Sequence, residues 1–263
     1  MLNKTIGIIV LVIILATVVA GISVGCNKKS NLNKGENNMT ATAPKIPPID
    51  TIMPVKTETA TFALGCFWGP DSQFGSIEGV IRIRVGYSGG STNNPTYYNL
   101  GDHSETIQID YDPTRISYEE LLEVFWDSHN PTTQPWSRQY MSIIFYHNED
   151  QRNVASASMQ RKEASLGQKI LTEVIPFSEF YLAEDYHQKY YLQQYPDLFN
   201  EYTAIYPEIG QLISSTAVAR VNGYLGSFGK LESLENQVNS FGLSLTGKEK
   251  LLQIGRRLLS NTN

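Results

Sequence analysis

Three stretches of the chain alternate with the two-residue period of a β-strand, and no other feature constrains the fold as strongly. They are Ala60-Thr61-Phe62-Ala63-Leu64, Ile81-Arg82-Ile83-Arg84-Val85-Gly86-Tyr87 and Glu105-Thr106-Ile107-Gln108-Ile109-Asp110-Tyr111. A strand sends successive side chains to opposite faces, so parity assigns each residue a side. Ile81, Ile83, Val85 and Tyr87 share one face, with the arginines on the other. Glu105, Ile107, Ile109 and Tyr111 share a face, and Phe62 and Leu64 share theirs with Cys66. Cys66, Tyr87 and Glu105 are therefore predicted near strand ends, on the face that carries the core.

The first run ends in Gly65-Cys66-Phe67-Trp68-Gly69. Gly65 is a natural place to turn, and Pro70-Asp71-Ser72 suit the first turn of a helix, with proline early and an acid near the positive end of the dipole. A cysteine at such a turn has backbone N–H groups and a helix N-terminus beside it, which favour the thiolate. An ordinary thiol with a pKa of about 8.5 is only about 3% ionised at neutral pH. The alternative is that Cys66 is a small buried hydrophobe.

Composition narrows the class. The 263 residues carry a formal charge of −5, which points away from nucleic acid. Two cysteines, Cys26 and Cys66, are too few for a disulfide framework. The four histidines, His103, His129, His147 and His187, are scattered and do not form a metal-type cluster.

Residues 1–26 have a basic start, an apolar run from Ile6 to Ala20 and small residues ending in Ser23-Val24-Gly25-Cys26. This is the layout of a secretory signal. Its last four residues resemble a lipoprotein box, with Cys26 as the lipidated residue and Ser23 in place of the usual Leu. An uncleaved spanning helix over Ile6–Gly25 is the rival. Either way the expected location is extracytoplasmic, tethered to a membrane through the N-terminal segment. Residues 27–58 read as a flexible linker rich in Asn, Lys, Thr and Pro. A globular part follows over 59–207.

Within it, Ser117-Tyr118-Glu119-Glu120 is a capping box that opens a helix with Tyr118, Leu121, Leu122 and Phe125 as its apolar stripe. A loop from His129 to Gln139 leads to a strand at Ile143–Tyr146. A helix from about Glu149 to Leu166, a strand near Ile170–Ile175 and a short helix near Glu184–Leu192 are expected. The mixture argues an α+β domain. Residues 208–263 form a C-terminal extension of two or three amphipathic helices, with no assignable chemistry.

A cysteine, tyrosines and a carboxylate suggest a nucleophile, hydrogen-bond donors and a general acid. A carboxyl that faces an aromatic core has its pKa raised by desolvation and holds a proton at neutral pH. On residue type alone, Glu105 is as readily a solvent-facing strand end, and Tyr87 and Tyr140 core-edge residues.

The motif Gly65-Cys66-Phe67-Trp68-Gly69 resembles the signature of the A-type peptide methionine sulfoxide reductases. Val85-Gly86-Tyr87-Ser88-Gly89-Gly90, Asn94-Pro95-Thr96-Tyr97, His103-Ser104-Glu105, Tyr111-Asp112-Pro113, Gln139-Tyr140 and Ala183-Glu184-Asp185-Tyr186-His187-Gln188 follow in the family's order. The resemblance implies a two-layer α/β sandwich around a mixed sheet with a ferredoxin-like core. It implies that Cys66 attacks the sulfoxide sulfur, that Glu105 protonates the departing oxygen, and that Tyr87 and Tyr140 hydrogen-bond that oxygen. Phe67 and Trp68 would form the pocket for the methyl group, and the product would be methionine plus Cys66 sulfenic acid. The family acts on the S epimer. Asp185 and His187 would flank the site as orienting or structural residues.

Three departures from the family pattern stand out. No cysteine follows Cys66, so a one-cysteine cycle is expected, in which an external thiol reductant (a thioredoxin-like protein or a small thiol) resolves the sulfenic acid. The loop Gln134-Pro135-Trp136-Ser137-Arg138 lacks the family's aspartate, and Trp136 is expected to reshape the peptide pocket. Asp71 stands where the family has Glu. The expected partners are oxidised proteins or peptides and the reductant, with no bound cofactor and a monomeric chain. The competing classes are a cysteine hydrolase, which needs a histidine base at Cys66, and a lipoprotein that only binds methionine-containing ligands.

Overall fold

The computed structural model describes residues 45–52 and 54–260. The signal or anchor segment, Cys26 and most of the linker lie outside them. No described helix is long and apolar enough to cross a membrane.

The alternating runs become the middle of a six-stranded mixed sheet. The strands are β1 (Glu58–Leu64), β2 (Val80–Ser88), β3 (Ser104–Tyr111), β4 (Ser142–Tyr146), β5 (Glu173–Pro176) and β6 (Phe180–Leu182), in the order β5-β4-β1-β3-β2-β6. With α1 (Trp68–Gly75) and α2 (Tyr118–Asp127) between them, the first four form the split β-α-β-β-α-β arrangement of a ferredoxin-like core. A second crossover through α3 (Glu149–Leu166) lays β5 parallel to β4, which makes the sheet mixed.

Parity holds where the ladder is regular. Phe62 pairs with Ile107 and Ile144, and Tyr87 with Glu105, so these residues share the face that packs on α1, α2 and α3. At its start β2 departs from parity. A bulge between Val80 and Arg82 turns Val80 to the core and leaves Ile81 half-buried, its carbonyl accepting a bond from Thr216 Oγ1. One extra residue in one strand shifts every side chain before it to the other face. The opposite face is polar over β2 and β3, with Arg82 and Arg84 paired to Asp110 and Gln108, and carries a small apolar cluster of Ala63, Ile143 and Phe145 over β1 and β4.

Three expectations are corrected. The linker does not run loose to residue 58: Pro48–Thr51 form a 3-10 turn. Asp50 accepts bonds there from Tyr206 Oη (2.7 Å), Ser215 Oγ (2.6 Å) and the Ala217 amide (3.0 Å). The helix expected over 184–192 is broken into a 3-10 turn, Asp185–His187, and α4 (Tyr190–Gln193). Gln188 uses its side-chain amide as a substitute strand, accepting from Val85 N (3.1 Å) and donating to Val85 O (2.9 Å), and Lys189 takes the left-handed backbone (φ 53°). The C-terminal part is longer in helices than expected. It comprises α5 (Pro196–Ile205), α6 (Ile209–Leu212), α7 (Thr216–Leu225), α8 (Leu231–Gln237) and α9 (Leu245–Leu259), which pack around their own apolar core. Sheet and helices belong to one compact unit.

Candidate active site

In this topology the C-terminal ends of β1 and β2 and the N-terminal ends of β3 and β4 lie along one edge of the sheet. That is why Cys66, Tyr87, Glu105 and Tyr140, 74 residues apart at the extremes (140 − 66), converge. Gly65 turns with φ 85°, a conformation that costs a side-chain-bearing residue strain. Cys66 stands exposed on the turn, so the buried-hydrophobe reading fails.

Glu105 lies beneath it, buried. Its carboxylate accepts the Phe67 amide on Oε2 (3.0 Å) and Gln139 Nε2 on Oε1 (2.7 Å). Burial pushes its pKa up, against these two bonds and a contact with Cys66. The carboxyl is therefore biased towards holding a proton, as a general acid needs.

The thiolate expectation is overturned for the resting site. Although the residue is exposed, partial desolvation of its sulfur and the nearby Glu105 charge push the Cys66 thiol up, and the Trp68 amide pulls it down. The interaction of Cys66 with Glu105 raises the thiol and lowers the acid, so the thiol holds its proton more tightly beside the carboxylate.

The tyrosines play different parts. Tyr87 Oη donates to Glu184 Oε2 (2.7 Å), and Glu184 Oε1 also accepts the Tyr97 amide (3.0 Å). A hydroxyl has one proton to donate, so Tyr87 can serve a sulfoxide oxygen only by exchanging that bond. Tyr140 closes a 3-10 turn, Arg138–Tyr140, and its hydroxyl accepts from Gln139 Nε2 (3.2 Å), the amide that also reaches Glu105. Burial holds both tyrosines in the protonated form, reinforced by Glu184 at Tyr87 and by Glu105 at Tyr140.

Phe67 and Trp68 form an aromatic wall with His187. Phe67 lies 5.1 Å from the imidazole, and Trp68 stacks on Tyr190 at 3.7 Å. The indole N–H donates to His187 Nδ1 (3.3 Å), which fixes the proton on Nε2, and burial keeps the ring neutral. Nε2 is buried without a hydrogen-bond partner. Asp185 is not part of this wall. The 3-10 turn points Glu184 and His187 inward and leaves Asp185 exposed, where its carbonyl accepts from Gln193 Nε2. Trp136 is 82% exposed and packs on Tyr140 at 4.9 Å. With Leu64, Gly65 and His129 it lines a cavity of about 340 Å³ beside the cysteine turn.

The sequence reading did not assign roles to Glu184, Gln139 and Tyr190, although the first two stand inside the motifs it quoted. A buried pair, Asp71 and Lys189, was also missed: Nζ lies 2.5 Å from Oδ1 and 2.6 Å from the Ile83 carbonyl. The only signal for it was an acid placed one helical turn after the cysteine.

A sulfur nucleophile coupled to a proton-holding carboxyl is equipped for thiol redox chemistry, and the class is a thiol-dependent oxidoreductase. Comparison with known proteins makes the class specific. Residues 58–215 match the family described as peptide methionine sulfoxide reductase, and the chain belongs to that family. It is 43% identical over 206 residues to the peptide methionine sulfoxide reductase of Drosophila melanogaster, covering 78% of this chain and 82% of the relative. It is 46% identical over 145 residues to the enzyme MsrA of Methanosarcina acetivorans, covering 51% and 77%. The crystal structure of Mxr1 from Saccharomyces cerevisiae in reduced form superposes with a TM-score of 0.51 at 29% identity, over 55% of this chain and 88% of that one. The protein is an oxidoreductase that reduces methionine sulfoxide at the expense of thiols.

Proposed function

We propose that Cys66 carries the reaction on the S epimer of methionine sulfoxide. Its sulfur attacks the sulfoxide sulfur while Glu105 delivers a proton to the oxygen, and the sulfoxide oxygen ends on Cys66. One sulfoxide and one thiol become methionine and one sulfenic acid. Two equivalents of an external thiol then return Cys66 to the thiol, releasing water and a disulfide. Tyr140, and Tyr87 after exchange from Glu184, bind the oxygen as charge develops there. Phe67 and Trp68 take the methyl group.

The single observation that carries this reading is the exposed Cys66 over a buried Glu105 whose two oxygens are held by the Phe67 amide and Gln139. The groups that act on the thiol are the Trp68 amide and an acid, an arrangement suited to oxygen protonation and not to the histidine-assisted acyl transfer of a hydrolase. Dimedone added with methionine-S-sulfoxide, without reductant, is expected to label Cys66 once methionine has formed. Methionine formation with no label on Cys66, or equal turnover of the R epimer, refutes the assignment.

The rest of the organisation belongs to the same proposal. Residues 59–207 are the catalytic part and 208–263 its helical extension. The 1–26 segment tethers the protein to the extracytoplasmic side of a membrane, through lipidated Cys26 or a spanning helix, as a one-cysteine enzyme served by a thioredoxin-like protein or a small thiol. Membrane fractionation of the full chain against Cys26→Ser tests it: a shift to the soluble fraction marks lipidation, and a soluble parent chain refutes the tether.

A further inference from the structure

The cysteine motif leads into α1, and α1 is poorly equipped to hold itself in place. It has eight residues, lacks a side-chain N-cap and includes Gly69, Pro70 and Gly75. Isolated helices shorter than about 12–15 residues are marginal in water, so packing must set its position. The position matters because the backbone at its start serves two groups at once: the Phe67 amide bonds Glu105 (3.0 Å), and the Trp68 amide favours the thiolate form of Cys66.

The element packed along α1 is α7, which lies wholly beyond the family-matched residues 58–215. The two backbones approach closely: a Cβ on Gly223 would stand 2.7 Å from Ser76, and one on Gly226 would overlap Ser72 Oγ. At the far end of α1, buried Arg220 donates to the carbonyls of Gly75 (3.1 Å) and Val80 (3.3 Å). At the near end, next to the cysteine, stands Asn222. Its Nδ2 donates to Asp71 Oδ2 (3.1 Å), its Oδ1 accepts the Leu192 amide (3.0 Å), and its carbonyl accepts Ser72 Oγ (2.8 Å). Asn222, Asp71 and Ser72 are all fully buried. Asp71 also takes Lys189 Nζ and the Lys189 amide, so Asn222 completes a closed polar knot around the first turn of α1. A side chain with only a packing role has no need to bond partners on two other helices, as that of Asn222 does with Asp71 and Leu192.

We infer that Asn222 is a positioning residue for sulfoxide reduction, holding the first turn of α1 so that the Phe67 and Trp68 amides stay aimed at Glu105 and Cys66. The inference rests on the reading of Cys66 as nucleophile. Small misplacements of reacting groups are costly, up to about a hundredfold per ångström. Loss of this knot therefore changes turnover more than binding.

The experiment uses the full chain with dithiothreitol and an acetylated methionine-S-sulfoxide. Asn222→Ala is expected to lower kcat at least about tenfold with KM within about twofold. It is also expected to move the pH midpoint of Cys66 alkylation by iodoacetamide upward, because the Trp68 amide is no longer aligned. The reciprocal pair Asp71→Asn with Asn222→Asp, which reverses donor and acceptor, is expected to restore part of both. Asn222→Ser, whose short hydroxyl cannot span both Asp71 and the Leu192 amide, reads the same quantities if Asn222→Ala does not fold. A wild-type kcat and alkylation midpoint in folded Asn222→Ala, or in Asn222→Ser should that variant be needed, overturn the inference. Cys66→Ser separates the two layers of argument: an inactive Cys66→Ser beside unaffected Asn222 variants sinks only the positioning role, whereas an active Cys66→Ser sinks the nucleophile assignment itself.

Discussion

Replacing Glu105 by Gln is expected to move two properties of Cys66 in opposite directions. The carboxylate is buried, faces two donors and raises the thiol pKa through its charge. With that charge removed, Glu105→Gln lowers the midpoint of Cys66 alkylation and speeds alkylation at pH 7. Sulfoxide reduction goes the other way. A positioned general acid contributes about 10²–10⁴ in rate, so kcat falls by that factor. The substituted amide also accepts only one of the two donors, the Phe67 amide or Gln139 Nε2, and its own NH2 meets the other, at a cost of about 1–3 kcal/mol in stability. The assay is iodoacetamide alkylation and single-turnover methionine formation on one preparation, with a urea melt to confirm the fold. Turnover within about threefold of wild type refutes Glu105 as the acid. Slower alkylation in Glu105→Gln refutes the charge coupling.

Three further outcomes follow from other contacts. The reactive form of the site carries one proton over Cys66 and Glu105, both raised, so kcat/KM is expected to be bell-shaped in pH with two macroscopic limbs. In Glu105→Gln the alkaline limb disappears and the residual rate rises to a plateau; a retained alkaline limb contradicts the coupled pair. Lys189→Met leaves Asp71 buried without its cation and is expected to cost about 3–5 kcal/mol in urea unfolding at pH 7, while Asp71→Asn with Lys189→Met recovers most of it. The sign with pH is fixed: burial raises the folded Asp71 pKa above its unfolded value of about 3.9, so the deficit is greatest at high pH and shrinks as pH falls through the folded pKa. A deficit that grows on acidification contradicts this. Asp50→Ala removes three bonds that pin the 48–51 turn to the start of α7 and is expected to cost about 1–3 kcal/mol; an unchanged urea midpoint means that this turn is unpinned.

Local patterns carried much of the fold. Strand parity placed Tyr87 and Glu105 near strand ends on the core face, and the β2–β3 ladder pairs them there. The Ser117 box is formed from both sides, with Glu120 N donating to Ser117 Oγ and Ser117 N to Glu120 Oε2. The helix over Glu149–Leu166 has the bounds its pattern predicts. What escaped was non-local. Asp71 meets Lys189 across 118 positions and Asn222 across 151, and a buried lysine in a polar run reads as a solvated one. Glu184 and Asp185 are adjacent acids, and only the 3-10 turn decides that the first faces the site. The sign of the Cys66 shift escaped for a different reason. An amide at a helix start is visible in the sequence, but the carboxylate and the burial that outweigh it depend on tertiary distances.

The opposed effects on Cys66 bear directly on how the site operates. A thiolate held permanently beside an exposed turn is open to oxidation by any passing oxidant. Here partial desolvation of the sulfur and the neighbouring Glu105 disfavour the thiolate at rest, and burial raises the carboxyl as well. The two states differ only in which group holds the shared proton. A sulfoxide oxygen placed over Glu105 accepts a hydrogen bond from the acid form alone. Under the proposed roles of Cys66 and Glu105, substrate selects the tautomer with the proton on Glu105 and the charge on sulfur, the reactive one in that proposal. The start of α1 is matched to both states, because its Phe67 amide holds the carboxyl in place and its Trp68 amide receives the charge when it moves to Cys66. On this argument Cys66 alkylation in wild type accelerates when a non-reducible oxide analogue such as a sulfone leaves the sulfur accessible, and that acceleration is lost in Glu105→Gln; equal acceleration in both proteins shows that the proton is not exchanged between these two groups.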